Sequence, residues 1–249
     1  MISAMVIVFF ASILQAAIGF GFAIMATPFL LLIFNSRDCV QISIILSFIV
    51  SLLLIFKIIK DVDKEFLKRL IWGSFVGAPI GVVFYSYVSL PILKFTVGIV
   101  IIFIAAFITL RAAIKKSSQS KKEEAIEESI SSKIQFLIGL CGGMLTTSIG
   151  MPGVPLLLYF NLTNMKKETA RSTTLTFFIF VYVISMVMQI LTVGIEPAAI
   201  TVSLKLIPIV AVGVFIGNLL FDKINQRTFQ FAANGILIFT GIYMLFNSL

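Results

Sequence analysis

Apolar residues form long runs that are separated by short polar stretches along almost the whole chain. Most runs are close to the ~20 residues that an α-helix needs to cross a bilayer, and none alternates with the period of two that barrel strands show. The pattern predicts an all-α polytopic membrane protein with about eight hydrophobic segments. These segments span residues 2–34, 40–59, 69–88, 91–110, 134–160, 172–193, 199–220 and 228–247.

Two of the segments, 2–34 and 134–160, contain glycine and proline where a membrane helix should be continuous. As one helix at ~1.5 Å per residue, the first would extend roughly 50 Å, against a hydrocarbon core of ~30 Å. A helix break exposes backbone N–H and C=O groups, so it is tolerated only inside protein or along a wet cavity. We therefore expect one break within 18–31 and another within 141–157, and such a matched pair is typical of a transport site.

A polar, lysine- and glutamate-rich stretch between residues 111 and 133 divides the chain into two halves. The expected organisation is a first membrane repeat at 1–110, a polar cytoplasmic linker at 111–133 and a second membrane repeat at 134–249. The broken segment then comes first in both halves.

The two halves resemble each other in sequence. Gly77 and Gly81 form a GxxxG pair that matches Gly213 and Gly217 in the second half. Such pairs place small residues on one helix face, which lets two helices approach closely. Further matches in the same order support an internal duplication: Phe34-Asn35 with Phe160-Asn161, Arg37-Asp38 with Lys167-Glu168, and Phe95 with Phe231.

The basic loops decide the orientation of the halves. Lysine and arginine concentrate at 57–69, in the linker and at 166–171, and short loops rich in these residues stay in the cytoplasm. If segment 134–160 is a re-entrant pair of half-helices, all of these loops lie inside and the halves are inverted in the membrane. If the same segment crosses once, the protein is a plain bundle of about eight helices with parallel halves. The sequence favours the inverted arrangement.

The composition is that of an integral protein of the cell membrane. Hydrophobic residues make up 59% and charged residues 12% of the chain, and the mean hydropathy is +1.12, whereas soluble domains carry ~25% charged residues. The basic residues behind the net charge of +8 lie in short loops, where they set orientation rather than bind nucleic acid. The first apolar run is too long for a signal-peptide core, so we expect it to belong to the mature chain.

The chain lacks the residues that most enzymes and metal sites use. It has no histidine and two cysteines, Cys39 and Cys141, which lack metal-ligand spacing. No carboxylate lies at the centre of an apolar segment, which disfavours both a proton-coupled carrier and an intramembrane enzyme. We expect no enzymatic activity, no cofactor and no metal.

The two breaks carry the candidate binding residues. A half-helix that begins at a break directs free N–H groups and a positive dipole end inward, while glycine allows close approach and hydroxyl groups add donors. These features suit a small oxyanion, although glycine and proline also serve packing alone in membrane helices. The candidate substrate-binding residues are Gly19, Gly21, Thr27, Pro28, Gln41, Thr147, Ser148, Gly150, Pro152, Gly153, Arg171 and Thr173.

Arg171, just before segment 172–193, has two interpretations. It binds an anion near the mouth of the site, or it anchors the helix by extending to the lipid headgroups. Its counterpart in the first half is Gln41, and Ser43 is the counterpart of Thr173. Because the second break has more glycine, proline and hydroxyl groups and an arginine downstream, we expect it to supply most of an anion site.

The chain resembles the TauE/SafE family of sulfite exporters and sulfonate-uptake permeases. The resemblance rests on Gly19-Phe20-Gly21 with the Pro28 leucine run, on Gly150-Met151-Pro152-Gly153-Val154-Pro155 with its own leucine run, and on Ala170-Arg171-Ser172-Thr173. It implies a secondary transporter that moves a small sulfur-containing anion, such as sulfite or a sulfonate, across the bilayer. A membrane scaffold or assembly factor without transport activity is the alternative. The sequence leaves the anion, the direction, the coupling ion and the oligomeric state open, a homo-oligomer included.

Overall fold

The structure is a computed structural model that describes residues 1–117, 131–163, 165–220, 242–243 and 245–246. All regular structure in these residues is helical, and five of the helices are long and apolar enough to cross a membrane. Segment 228–247 lies outside the described residues apart from the four near its end. The helices are α1 (Ile2–Ile18), α2 (Phe22–Phe34), α3 (Asp38–Ile58), α4 (Lys64–Tyr87), α5 (Leu90–Ser117), α6 (Ser132–Ile149), α7 (Gly153–Leu162), α8 (Lys167–Thr192) and α9 (Pro197–Leu220).

Both predicted helix breaks are present. Gly19 ends α1 with a φ of 95°, Gly21 precedes α2 with a φ of 120°, and Gly150 ends α6 with a φ of 78°. Side chains with a Cβ disfavour this left-handed region, so glycine is what permits the chain to turn there. The expected interruptions within 18–31 and 141–157 are therefore confirmed. The beginning of the expected linker continues α5 to Ser117, and 118–130 lie outside the described residues.

Glycines of α4 pack directly on the backbone of α6. A Cβ on any of three α4 glycines would collide with an α6 carbonyl oxygen, so the two helices are in near-contact along their length. The contacts pair Gly73 with Phe136, Gly77 with Leu140 and Gly81 with Met144. Because the residue numbers increase in both helices from one contact to the next, α4 and α6 run in the same direction.

The second GxxxG pair makes the corresponding contact in α9. Gly213 lies against Ser12, and Gly217 lies against Ala16, where a Cβ would approach the neighbouring Cβ to 2.8 Å. These contacts also advance together, so α1 and α9 run in the same direction. Each half thus packs its GxxxG helix on the first helix of the other half, and the expected close approach is confirmed at both pairs.

Helices α3 and α8 cross the centre in opposite directions. The backbone N–H of Asp63, just before α4, donates to Thr173 in the first turns of α8. At the other end, Gln41 at the start of α3 bonds the loop that follows α8. The start of α8 therefore lies beside the end of α3. The large side chains Phe177, Phe178 and Tyr182 of α8 are buried in the interior, where Phe177 packs on Gly142 and Phe178 on Gly153.

Candidate functional site

The two breaks meet in the interior of the helix bundle. A Cβ on Gly153, the first residue of α7, would lie 3.6 Å from Cβ of Phe20 in the first break and 3.8 Å from Cδ1 of Ile24. The same Cβ would lie 3.3 Å from the ring of Phe178 in α8. Because Gly153 has no side chain, the first turn of α7 can approach both the other break and α8.

Two helix starts are buried at this junction. Within the described chain no side chain caps α2 after Gly21 or α7 after Pro152, whereas Asp63 caps α4 by accepting from the N–H of Phe66. N–H groups in a first helical turn have no acceptor within their own helix and carry the positive end of the dipole. Phe22 is fully buried and Val154 is 5% exposed, so these donors point into the protein interior.

Arg171 lies at the first break, although it belongs to the second half. Its guanidinium donates from Nη2 to the carbonyl oxygen of Ala16 in the last turn of α1, at 2.5 Å. A Cβ on Gly19 would lie 2.7 Å from Cγ of Arg171 and 3.3 Å from its Cα. A cation at a helix C-terminus is favourable by up to ~2 kcal/mol when it is partly buried. At 7% exposure Arg171 is buried against α1, which argues against the headgroup-anchor interpretation.

Two buried residues with hydroxyl groups, Thr27 and Ser43, lie beside the second break. A Cβ on Gly150 would lie 3.6 Å from Oγ1 of Thr27, 3.6 Å from the carbonyl oxygen of Val40 and 3.7 Å from Cβ of Ser43. Thr27 and Ser43 are both fully buried, and neither hydroxyl has a hydrogen-bond partner among the described residues. A buried polar group without a partner costs ~1–3 kcal/mol. Two such groups beside one helix break are therefore suited to a ligand.

Residues before the second break are bonded within the protein. The Thr147 hydroxyl donates to Gly143 O at 3.0 Å and lies 2.8 Å from Oγ of Ser185, and its carbonyl accepts from Gln189. The Ser148 hydroxyl donates to the carbonyl of Met144 at 2.7 Å. The contacts of Thr147 hold α6 against α8, whereas the bond of Ser148 lies within α6.

Gln41 and Thr173 lie at opposite ends of the bundle. Gln41 donates to the carbonyl of Gly194 at 2.9 Å and accepts from the N–H of Glu196 at 3.2 Å, so both ends of its amide are used. Thr173 accepts from Asp63 at 3.0 Å. Both residues tie helix ends together rather than border the junction. Pro28 is buried within α2, and Gly21 packs on Leu14.

A buried serine stripe on α3 was missed as a site. Ser43, Ser47 and Ser51 are fully buried, and their spacing of four residues places them on one helix face. Ser51 accepts from the amide of Gln15 at 3.0 Å in the last turns of α1. The oxygen Oε1 of Gln15 has no hydrogen-bond partner among the described residues, and Ser47 lies beside the hydroxyl of Tyr182. The i, i+4, i+8 spacing was visible in the sequence and was the signal for this stripe.

The described residues contain no group of three His, Cys, Asp or Glu side chains that could hold a metal ion. The polar groups at the junction are amides, hydroxyls and one guanidinium. They can donate hydrogen bonds to an anion and supply positive charge, but they include no paired acid and base.

A family model described as "Sulfite exporter TauE/SafE" matches residues 4–244, nearly the whole chain. The chain belongs to this family. The resemblance noted from the glycine and proline motifs is thereby confirmed, and the protein is a multi-pass membrane protein of a transporter family. No curated protein and no solved structure matches the chain.

Proposed function

We propose that this protein carries a small sulfur-containing oxyanion, such as sulfite or a sulfonate, across the cell membrane through the junction of its two broken segments. The observation that supports this most directly is the pair of fully buried hydroxyls of Thr27 and Ser43 beside Gly150, neither of which has a hydrogen-bond partner in the part of the chain that the structure describes. An oxyanion has several acceptor oxygens and would pair with both. The uncapped starts of α2 and α7 add N–H donors and positive helix ends nearby.

The serine stripe supplies a path between the two breaks. Ser43 borders Gly150, and Ser51 bonds Gln15 near the end of α1, where Arg171 lies. Eight residues of helix span ~12 Å, so hydroxyls spaced one turn apart connect the second break to the first. Ser51 donates to the carbonyl of Ser47 and accepts from Gln15, so an anion that moves along α3 toward the charge of Arg171 must displace these bonds.

Both halves contribute to each end of this path. The second break borders Val40 and Ser43 of the first half, and the first break borders Arg171 of the second half. This differs from the expectation that the second break supplies most of the site together with Arg171. We propose that an anion binds in turn at two sites on one pathway, the hydroxyl residues beside Gly150 and Arg171 beside Gly19.

The helix directions favour inverted repeats over parallel ones. Helix α6 enters beside α4, and α7 leads back to the end where α4 and α8 begin. Helix α1 enters beside α9 from the other end, and α2 returns to where α3 begins. Two re-entrant pairs from opposite sides would give 1–110 and 134–249 opposite orientations, with the linker 111–133 in the cytoplasm. Symmetric halves of this kind can open the site to one side at a time.

Ligand-dependent thermal stability of the purified protein tests the substrate class. We expect sulfite, thiosulfate or a sulfonate to raise the melting temperature of the wild type, because an anion that binds only the folded state stabilises it. The double variant Thr27→Val with Ser43→Ala should lose this rise. Thr96→Val, which removes an exposed hydroxyl on α5, should keep it. Stabilisation by carboxylates alone, or an equal rise in the double variant, would refute the assignment.

A further inference from the structure

A second feature lies outside the transport junction, between the N-terminal part of α4 and the first turns of α6. It is a wide, shallow cavity of about 560 Å³ on the protein surface, and its exposed walls are apolar. It lies at the end of the bundle that also carries the exposed lysines 60, 64 and 68. The cavity is lined by Arg69, Trp72, Ser132, Lys133, Phe136 and Leu137.

The cationic rim of this cavity is held in place. The Arg69 guanidinium donates from Nη1 to Oε1 of Gln135 at 2.7 Å, and the amide of Gln135 donates to the hydroxyl of Tyr159 at 3.1 Å. Nη2 of Arg69 is 3.7 Å from Glu65, whose side chain is 80% exposed, so this ion pair is weak. The guanidinium is thus oriented by α6 with further N–H groups available. Lys133 adds an exposed second cation from the first turn of α6.

The apolar walls lie deeper along the same helices. Trp72 is one turn beyond Arg69 and 60% exposed, and Leu137 is one turn beyond Lys133 and 54% exposed. In a membrane protein such exposed apolar side chains face lipid, and tryptophan is enriched at the membrane–water interface. The cavity therefore presents charge at its rim and apolar surface beneath, which matches an amphiphile with an anionic head.

We propose that this cavity binds an anionic phospholipid, with the phosphate between Arg69 and Lys133 and an acyl chain along Trp72 and Leu137. Loops rich in lysine and arginine lie on the cytoplasmic side, and that leaflet carries the anionic lipids in many membranes. Two cations near a membrane surface attract such lipids by about 1 kcal/mol each. The bound lipid would clamp the α4–α6 pair that carries the second break.

The test compares wild-type protein in vesicles of phosphatidylglycerol with vesicles of phosphatidylcholine. We expect a higher melting temperature in phosphatidylglycerol, and bound phosphatidylglycerol in native mass spectra. The double variant Arg69→Gln with Lys133→Gln should lose most of both signals. The matched control Lys64→Gln with Lys68→Gln removes two charges at the same end but outside the cavity, and it should keep them.

Two further measurements keep the proposal falsifiable. Lys133→Gln alone leaves the Arg69–Gln135 bond intact and should still bind less lipid, even if the double variant folds poorly. Inorganic phosphate in phosphatidylcholine should not reproduce the stabilisation, because it lacks the acyl chain. Equal lipid binding by wild type and cavity variants, equal loss in the control, or full stabilisation by phosphate would overturn the proposal. These outcomes do not depend on whether sulfur oxyanions bind.

Discussion

At the residue scale, Gly19 meets two demands at once. Its φ of 95° is unfavourable for side chains with a Cβ, and its missing side chain makes room for Arg171. Gly194 has a similar φ of 79°, but a Cβ there would meet no described atom within 4 Å. The two glycines therefore share the backbone requirement and differ in the contact.

Gly19→Ala and Gly194→Ala separate these two effects. Both substitutions lower the free energy of unfolding by about 1–2 kcal/mol because of the left-handed conformation, but Gly19→Ala must also displace Arg171 from α1. We expect Gly19→Ala to unfold at a clearly lower temperature and to lose anion-dependent stabilisation, while Gly194→Ala keeps it. Equal melting temperatures for the two variants would show that Arg171 is not held as described.

Arg171 has a matched control in Arg37. Arg37 donates to the carbonyl of Val88 at 3.0 Å after the end of α4, much as Arg171 donates to Ala16. Losing either bond should cost about 1–3 kcal/mol of stability. We expect Arg171→Ala to weaken anion binding about tenfold or more, which is ~1.4 kcal/mol, and Arg37→Ala to leave the affinity unchanged. Titration calorimetry measures the anion affinity of both variants. An equal loss of affinity in the two would contradict a specific role for Arg171.

Several residues of the site were predictable from local sequence, and their contacts were not. Gly19 and Gly150 stood out because glycine interrupts an apolar helix, and Arg171 stood out as a basic residue at the start of an apolar segment. That Arg171 meets Gly19 depends on how α8 packs against α1, more than a hundred residues away in the chain. Thr27 was named, whereas Ser43 entered only as a counterpart, since a serine within an apolar helix carries little signal alone.

At the element scale, glycine faces decide which helices pair. Gly73, Gly77 and Gly81 of α4 rest on α6, whose own Gly139 and Gly143 face back to α4. The GxxxG pairs in α4 and α9 were recognised in the sequence, and the Gly139–Gly143 pair was overlooked although it has the same spacing. The partner of each face was not predictable, because small residues permit close packing without specifying what packs there.

Gly77→Ala tests the α4–α6 contact. A Cβ at this position would collide with the backbone carbonyl of Leu140, which cannot yield by a side-chain rotation. We expect a loss of at least 1–3 kcal/mol, about the cost of overpacking a core, seen as a lower thermal unfolding temperature. Val76→Ala, at a half-exposed neighbour on the outer face, should change stability far less. A neutral Gly77→Ala would contradict the close packing.

At the scale of the whole molecule, the directions of the helices distinguish between inverted and parallel halves, which the sequence left open. Charge patterns alone permitted inverted or parallel halves, because a broken segment can cross the membrane or return. The bond between Asp63 and Thr173 brings the start of α8 to the start of α4. That long-range contact is what composition and periodicity could not supply, and it favours the inverted arrangement.

Single-cysteine labelling tests this topology in a background with Cys39→Ala and Cys141→Ala. Lys60, Lys166 and Glu196 are exposed and are suitable for replacement by cysteine one at a time. We expect Lys60→Cys and Lys166→Cys to react with an impermeant maleimide from the same side, and Glu196→Cys from the other. Parallel halves would place the first two on opposite sides, and that result would exclude re-entrant breaks.

Anion flux in proteoliposomes tests transport through the junction most directly. Radiolabelled sulfite or a sulfonate should enter vesicles that contain the wild type or Thr96→Val faster than protein-free vesicles. The double variant Thr27→Val with Ser43→Ala should reduce that flux at least about tenfold, because it removes the hydroxyl groups of both residues beside Gly150. Wild-type flux in the double variant, or no flux of any sulfur oxyanion in folded wild-type protein, would contradict transport by this route.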